Sequence, residues 1–111
     1  MKKISEKDME YRDGDSGVKY MIRGPHIDWG LMLLKPNSKM GAHYHKEVEE
    51  TFYFMEGSGI MIINDQKLQA AEGDAFLVEP TEKHDVENLS NKPLKVLFIK
   101  TPYLPKDKVD A

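Results

Sequence analysis

Residues 43–57 read HYHKEVEETFYFMEG, and this stretch decides the fold. Its second half, Thr51 to Met55, is rich in aromatic residues, which suit a pleated, half-buried strand, and Glu56-Gly57 ends it. Its first half sets His43 and His45 on either side of Tyr44. In an extended strand residues i and i+2 point to one face, so both imidazoles aim at a common point and Tyr44 points away. A short acidic link, Lys46 to Glu49, leads to Glu50. A tight reversal there brings Glu50 beside the histidine pair across an antiparallel ladder. Phe52 and Phe54 share the face of Glu50 by the two-residue period and read as core and pocket wall. Tyr53 faces the other side, toward a second layer or a partner.

The same punctuation continues outward in both directions. Val18 to Ile22 reads as a strand ending at Arg23-Gly24-Pro25, and Trp29 to Leu34 as a second, stopped by Pro36-Asn37. Gly59 to Ile63 runs into Asn64-Asp65, a hairpin turn, and Gln66 to Ala70 returns. Glu72-Gly73-Asp74 turns again before Ala75 to Val78, which Pro80 follows. Leu94 to Thr101 is the longest and most apolar run. Short strands with frequent turn signals indicate an all-β sandwich or barrel. No window combines a 3.6-residue apolar period with helix start and stop signals. The length of 111 residues fits one domain, residues 1–111, with a core over roughly 18–101. A polar arm, 1–17, precedes the core. The tail, 102–111, carries Pro102 and Pro105, which bar it from continuing as a strand interior.

His84 lies about forty residues beyond the histidine pair, after a Gly-Asp turn and a strand, and so comes from a different part of the sheet. Three imidazoles and a carboxylate drawn from separate segments make a mixed nitrogen and oxygen site suited to a divalent transition metal. The fourth histidine, His26, follows Pro25 in a loop and reads as structural or exposed. The methionines are scattered gap-fillers rather than a metal site, and Trp29 reads as a core or interface anchor.

Pro36-Asn37, five residues, His43-x-His45, four residues, Glu50, six residues, Gly57 resembles the first conserved motif of the cupin superfamily. Gly73-Asp74, a short strand to Val78, Pro80, His84, three residues, Asn88 resembles the second. The likeness covers roughly residues 30 to 100. It implies a double-stranded β-helix, or jelly-roll barrel, holding one metal near its mouth on His43, His45, Glu50 and His84. The motif spacing favours Glu50, seven residues before Gly57, with Glu49 as the alternative; Glu47 reads as solvated. Asn37 stands where the motif has glycine, and asparagine tolerates the left-handed turn required there. Glu79 stands where a proline often sits, and Thr81 where a glycine is usual.

Composition narrows the function. Without cysteine there are no disulfides, thiolate nucleophiles or cysteine-held metals. A net charge of −3 with dispersed Lys and Arg argues against nucleic acid as a partner. No apolar stretch reaches the length of a membrane span, and no signal-peptide run opens the chain, so a cytoplasmic location is expected. Iron, manganese, nickel, zinc and copper all suit the donor set. The ligand expected is a small oxygen-rich anion or sugar-like molecule. It is either turned over, as by a metal-dependent dioxygenase, decarboxylase or isomerase, or simply bound by a non-catalytic module. The enzyme reading needs an inward acid or base beyond the ligands, for which Lys100 and Arg23 are candidates. A homodimer is expected, with Val18 to Ile22 as the edge strand that pairs.

Overall fold

The computed structural model describes residues 1–111, which form one 3-10 turn, Glu6–Asp8, and eleven strands. The strands are β1 (Gly17–Arg23), β2 (Asp28–Leu34), β3 (Ser38–Lys39), β4 (His43–His45), β5 (Glu49–Glu56), β6 (Gly59–Ile63), β7 (Gln66–Ala70), β8 (Ala75–Val78), β9 (His84–Asn88), β10 (Leu94–Thr101) and β11 (Lys108–Asp110). One sheet has the order β1-β2-β10-β5-β8. The other has the order β11-β4-β9-β6-β7, with β3 also paired to β9. All pairings are antiparallel. The fold is the all-β double-sheet barrel that the strand spacing predicts.

Alternation explains why these segments are strands. Leu94, Val96 and Phe98 of β10 are buried while Lys95, Leu97 and Ile99 are less so, and Glu50, Phe52 and Phe54 of β5 are buried beside them. Both inner rows pack against Met32 and Leu34 of β2, Met61 of β6 and Val86 of β9 from the facing sheet. Burying each large side chain contributes about 1.5–3 kcal/mol. The other face of the five-stranded sheet is partly covered by the N-terminal turn. Glu6 there reaches Lys19 on β1 and Lys95 on β10.

Two turns behave as their residues require, and a third does not. Asn64 and Asp65 both have positive φ, 48° and 68°, as a two-residue hairpin between β6 and β7 demands. Asn37 also sits in the left-handed region, at φ 60°. Thr81 does so at φ 72°, which is strained for a β-branched residue and marks why glycine is usual there.

The structure corrects two expectations and adds a strand. The tail does not stay outside the sheets: past its prolines it returns as β11, pairing Lys108 with His45 and Asp110 with His43. His84 to Asn88, which shows no apolar alternation and is not read as a strand from the sequence, is a central one, so His84 does come from a different part of the sheet as expected. And β4 and β5 do not form a ladder. They lie in different sheets, because the link Lys46 to Val48 carries the chain across the gap between them.

Candidate metal centre

Each candidate ligand is placed by its strand. His43 and His45 project from β4 to one side, with Tyr44 between them pointing away. His84 opens β9 and is the direct cross-strand partner of His43, their ring centroids 4.3 Å apart. Glu50 reaches the same point from β5 in the facing sheet. All four side chains are buried, and one potential ligand atom from each lies within 4.8 Å of the others. The alternative acid, Glu49, is exposed, as are Glu47 and His26.

The link that throws Glu50 across the gap is fastened by a residue the sequence reading did not single out. The Asp107 carboxylate accepts hydrogen bonds from the backbone N–H groups of Glu47, at 2.8 Å, and Val48, at 2.9 Å. Asp85 similarly holds the approach to β4, accepting from the Gly41 N–H at 2.9 Å. Asn88 ties the barrel together further down, donating to the carbonyls of Leu34 and Lys92.

The protonation pattern suits a cation. His43 and His84 each set Nδ1 at 2.9 Å from a backbone carbonyl, of Gly41 and Glu82 respectively. A carbonyl can only accept, so Nδ1 carries the hydrogen in both rings and Nε2 of a neutral ring is left with a lone pair. Nε2 of His84 nonetheless faces Glu50 Oε1 at 3.3 Å, and Nε2 of His45 lies 3.0 Å from the same oxygen. Burial holds the His43 imidazole down at about 4, keeping it neutral at ordinary pH. Burial pushes the Glu50 carboxyl up, but the neighbouring His45 and His84 outweigh it and hold that carboxyl at about 2. A lone pair of a neutral His84 facing a carboxylate oxygen is repulsive unless a proton or a metal ion lies between them. Donor atoms held by one ion at ~2.1 Å would lie no more than ~4.2 Å apart. The four candidate atoms lie within 4.8 Å of one another, close to that span, so the residues fit a divalent ion. His45 Nδ1 is buried without a partner, which leaves that ring less firmly oriented than the other two.

Above the cluster lies an open cavity of about 240 Å³. His43, His45 and Glu50 form part of its lining, with Phe52, Phe98 and Met32 as apolar wall. Phe54 is not part of that wall; it sits deeper, edge-on to Phe76 at 5.8 Å. Of the two basic candidates, Lys100 lines the cavity and Arg23 does not. Arg23 instead forks onto Asp28 through Nε and Nη2, each at 3.1 Å. Tyr20 and Lys108 also line the cavity and were not named from sequence. Alternation along β1, with Val18 and Tyr20 on one face, is the signal that marks Tyr20.

The fold and the cluster together define a double-stranded β-helix protein with a buried His/Glu site that could hold a metal ion. The chain belongs to the cupin family, whose Cupin domain model matches residues 30–100. An uncharacterized protein of Methanocaldococcus jannaschii is 37% identical over 103 residues, covering 87% of this chain and 82% of that protein. The oxalate-binding protein of Thermotoga maritima is 31% identical over 68 residues. That match covers 61% of this chain and 56% of the relative, so this chain spans little more than half of it. A protein from Klebsiella pneumoniae with a double-stranded β-helix domain has a solved structure of the same fold, with a TM-score of 0.85 at 14% identity. The match covers 100% of this chain and 97% of that one. No helix is long and apolar enough to cross a membrane.

Proposed function

We propose that this cupin holds one divalent transition metal on His43, His45, Glu50 and His84 and uses it to bind a small, chelating, oxygen-rich anion. The observation that carries the reading is the convergence of four buried ligand side chains, three of which, His43, His45 and Glu50, line an open cavity. When bound, the metal would supply a Lewis-acid centre with positions left over for ligand oxygens. The chain's own residues supply the rest. One carboxylate and three imidazoles offset only part of a divalent charge, which favours an anion. Phe52 and Phe98 exclude water from one side of the cavity and strengthen electrostatic attraction there. The likeness to an oxalate-binding protein supports the same ligand class.

A second reading, turnover of that ligand, is favoured by one observation: Lys100 and Tyr20 bring polar groups that are not metal ligands into the cavity. Metal analysis of the purified protein, followed by calorimetric titration with oxalate, a short 2-oxo acid and acetylacetone, tests both. Carbon dioxide release and oxygen uptake are followed in parallel. Binding without turnover in the iron, manganese and nickel forms selects the binding module. Absence of binding to metal-loaded protein sinks the open-site reading. We also propose a homodimer, supported by β1 lying at the outer edge of its sheet. Sedimentation at high micromolar concentration is expected to give twice the chain mass, and a monomer there overturns it.

A further inference from the structure

We propose that Lys100 and Tyr20 form a second anion-binding subsite in the cavity, so that the preferred ligand is a short dianion with a chelating end and a separate carboxylate end. The inference rests on the metal-dependent reading above and adds the specificity of the same site.

The geometry begins with a missing side chain. Gly30 of β2 lies between Tyr20 of β1 and Phe98 of β10 in one cross-strand row. A Cβ at Gly30 would stand 2.2 Å from the Lys19 carbonyl oxygen, so no other residue allows β1 to approach this closely. With that space free, the Tyr20 and Phe98 rings meet edge to face at 5.4 Å. The Arg23 guanidinium stacks over the Tyr20 ring at 3.8 Å. Tyr20 is thus clamped before any ligand arrives.

Its phenol oxygen accepts a hydrogen bond from Lys100 Nζ at 2.9 Å. That leaves the phenolic hydrogen free to donate, and leaves the ammonium with two further N–H groups. Lys100 has only a partial counter-ion. Each Asp28 oxygen accepts a hydrogen bond from Arg23, and Lys100 Nζ stands 3.6 Å from Oδ2, an ion pair without a hydrogen bond. Asp28 is buried and carries one negative charge against two cations. The Arg23–Asp28–Lys100 group therefore has an excess positive charge, and the Lys100 side chain is only 15% exposed. A largely buried, incompletely paired ammonium is costly unless an anion meets it.

The wider charge distribution agrees. On a chain of net charge −3, this cavity is lined by Arg12, Lys35, Lys39, Lys100 and Lys108 against only Asp13 and Glu50. Four of those cations are exposed and steer rather than bind. Lys100 is the one positioned to bind. Its Cα pairs directly with that of Glu50 across the β10–β5 ladder, which places the two functions side by side on one sheet face. Phe98 and Phe52 line the space as an apolar wall, matching a short carbon chain between two anionic ends. The cavity volume, below the ~300–1,000 Å³ of drug-sized pockets, restricts that chain to a few carbons.

The test compares acids that share a chelating end and differ in the far carboxylate. Metal-loaded protein is titrated by calorimetry with lactate against malate, and with 2-oxobutyrate against 2-oxoglutarate. The wild-type chain is expected to bind at least one diacid about tenfold or more tightly than its monoacid. Lys100→Met should abolish that preference while leaving monoacid affinity and metal content unchanged. Lys100→Arg should keep most of it, and Tyr20→Phe should lose part. Equal affinity of the wild-type chain for diacid and monoacid in both pairs overturns the subsite without touching the metal reading, and needs no variant to fold. Equal weakening of both acids by Lys100→Met overturns it too. If neither kind of acid binds the wild-type chain at one metal per chain, the open metal site itself fails.

Discussion

The two sheets divide the molecule into unlike halves. In the five-stranded sheet, β1, β2, β5 and β10 run seven or eight residues, and their inner faces are largely Leu, Met, Val and Phe. In the facing sheet β4 has three residues and β9 five, and their buried positions include His43, His45, His84, Asp85 and Asn88. The first half is held by apolar packing. The second is held by side chains that bond to the backbone: Asp85 to Gly41, Asp107 to the 47–48 link, and Asn88 to three carbonyls. A polar site can sit on short strands because a long-stranded apolar sheet faces it. Glu50, Lys100 and Asp28, one cross-strand row over β5, β10 and β2, are the exceptions, polar groups set into the apolar half.

The sharpest way to break this contrast is to remove a ligand. His43→Ala, His84→Ala and Glu50→Ala are each expected to reduce bound metal from one per chain to nearly none, measured by elemental analysis after dialysis. Glu49→Ala, one residue away and exposed, should keep it. The reverse result would put the first motif out of register by one. His45→Ala is expected to strip the metal as well.

Next comes a loss in the apolar half. Phe54 is fully buried and does not line the cavity, so Phe54→Ala should cost about 3–5 kcal/mol in urea unfolding of the metal-free protein. The ligand substitutions should cost much less in that same measurement. A similar cost for both would erase the distinction between scaffold and site.

Asp107→Ala sharpens the comparison from the other side. It leaves the Glu47 and Val48 N–H groups without their acceptor and should destabilise by about 1–3 kcal/mol. Because the freed link carries Glu50, metal affinity should fall as well, unlike for Phe54→Ala measured under folding conditions. Unchanged metal affinity would show that the link holds its shape unaided. The smallest effect is a gain. Thr81→Gly relieves a left-handed β-branched residue and is expected to stabilise by about 1 kcal/mol, offset in part by the entropy of glycine. A loss there would mean that the threonine side chain contributes more than its backbone strain costs.

The two halves also differed in how far the sequence revealed them. The long strands were legible because alternation in Leu94 to Thr101 and Thr51 to Met55 mirrors a half-buried face. The hairpin at Asn64-Asp65 was legible from turn chemistry. The site was legible only through spacing, since His43, His45, Glu50 and His84 carry no apolar period. The same polarity hid β9: of the inward positions of HDVEN only Val86 is apolar, while His84 joins the candidate site and Asn88 bonds to carbonyls. The tail hid β11, because Pro102 and Pro105 stop one strand but do not prevent another from starting at Lys108. Local pattern could not distinguish a hairpin from a link that changes sheets between His45 and Glu49. Buried Val48, lone among acidic neighbours, is the one trace of that crossing.

The position of β10 sets the order of events in a growing chain. It inserts between β2 and β5, both synthesised well before it. A nascent polypeptide that has reached Pro93 already contains every candidate ligand, yet of the two strands that flank Glu50 on β5 only β8 has been made and β10 has not. Long-range strand insertion of this kind is slow compared with local hairpin closure. If the cluster holds a metal as proposed, its full affinity would be reached only once β10 is in place, and an ion captured earlier by His43 and His45 alone would be held loosely and remain exchangeable.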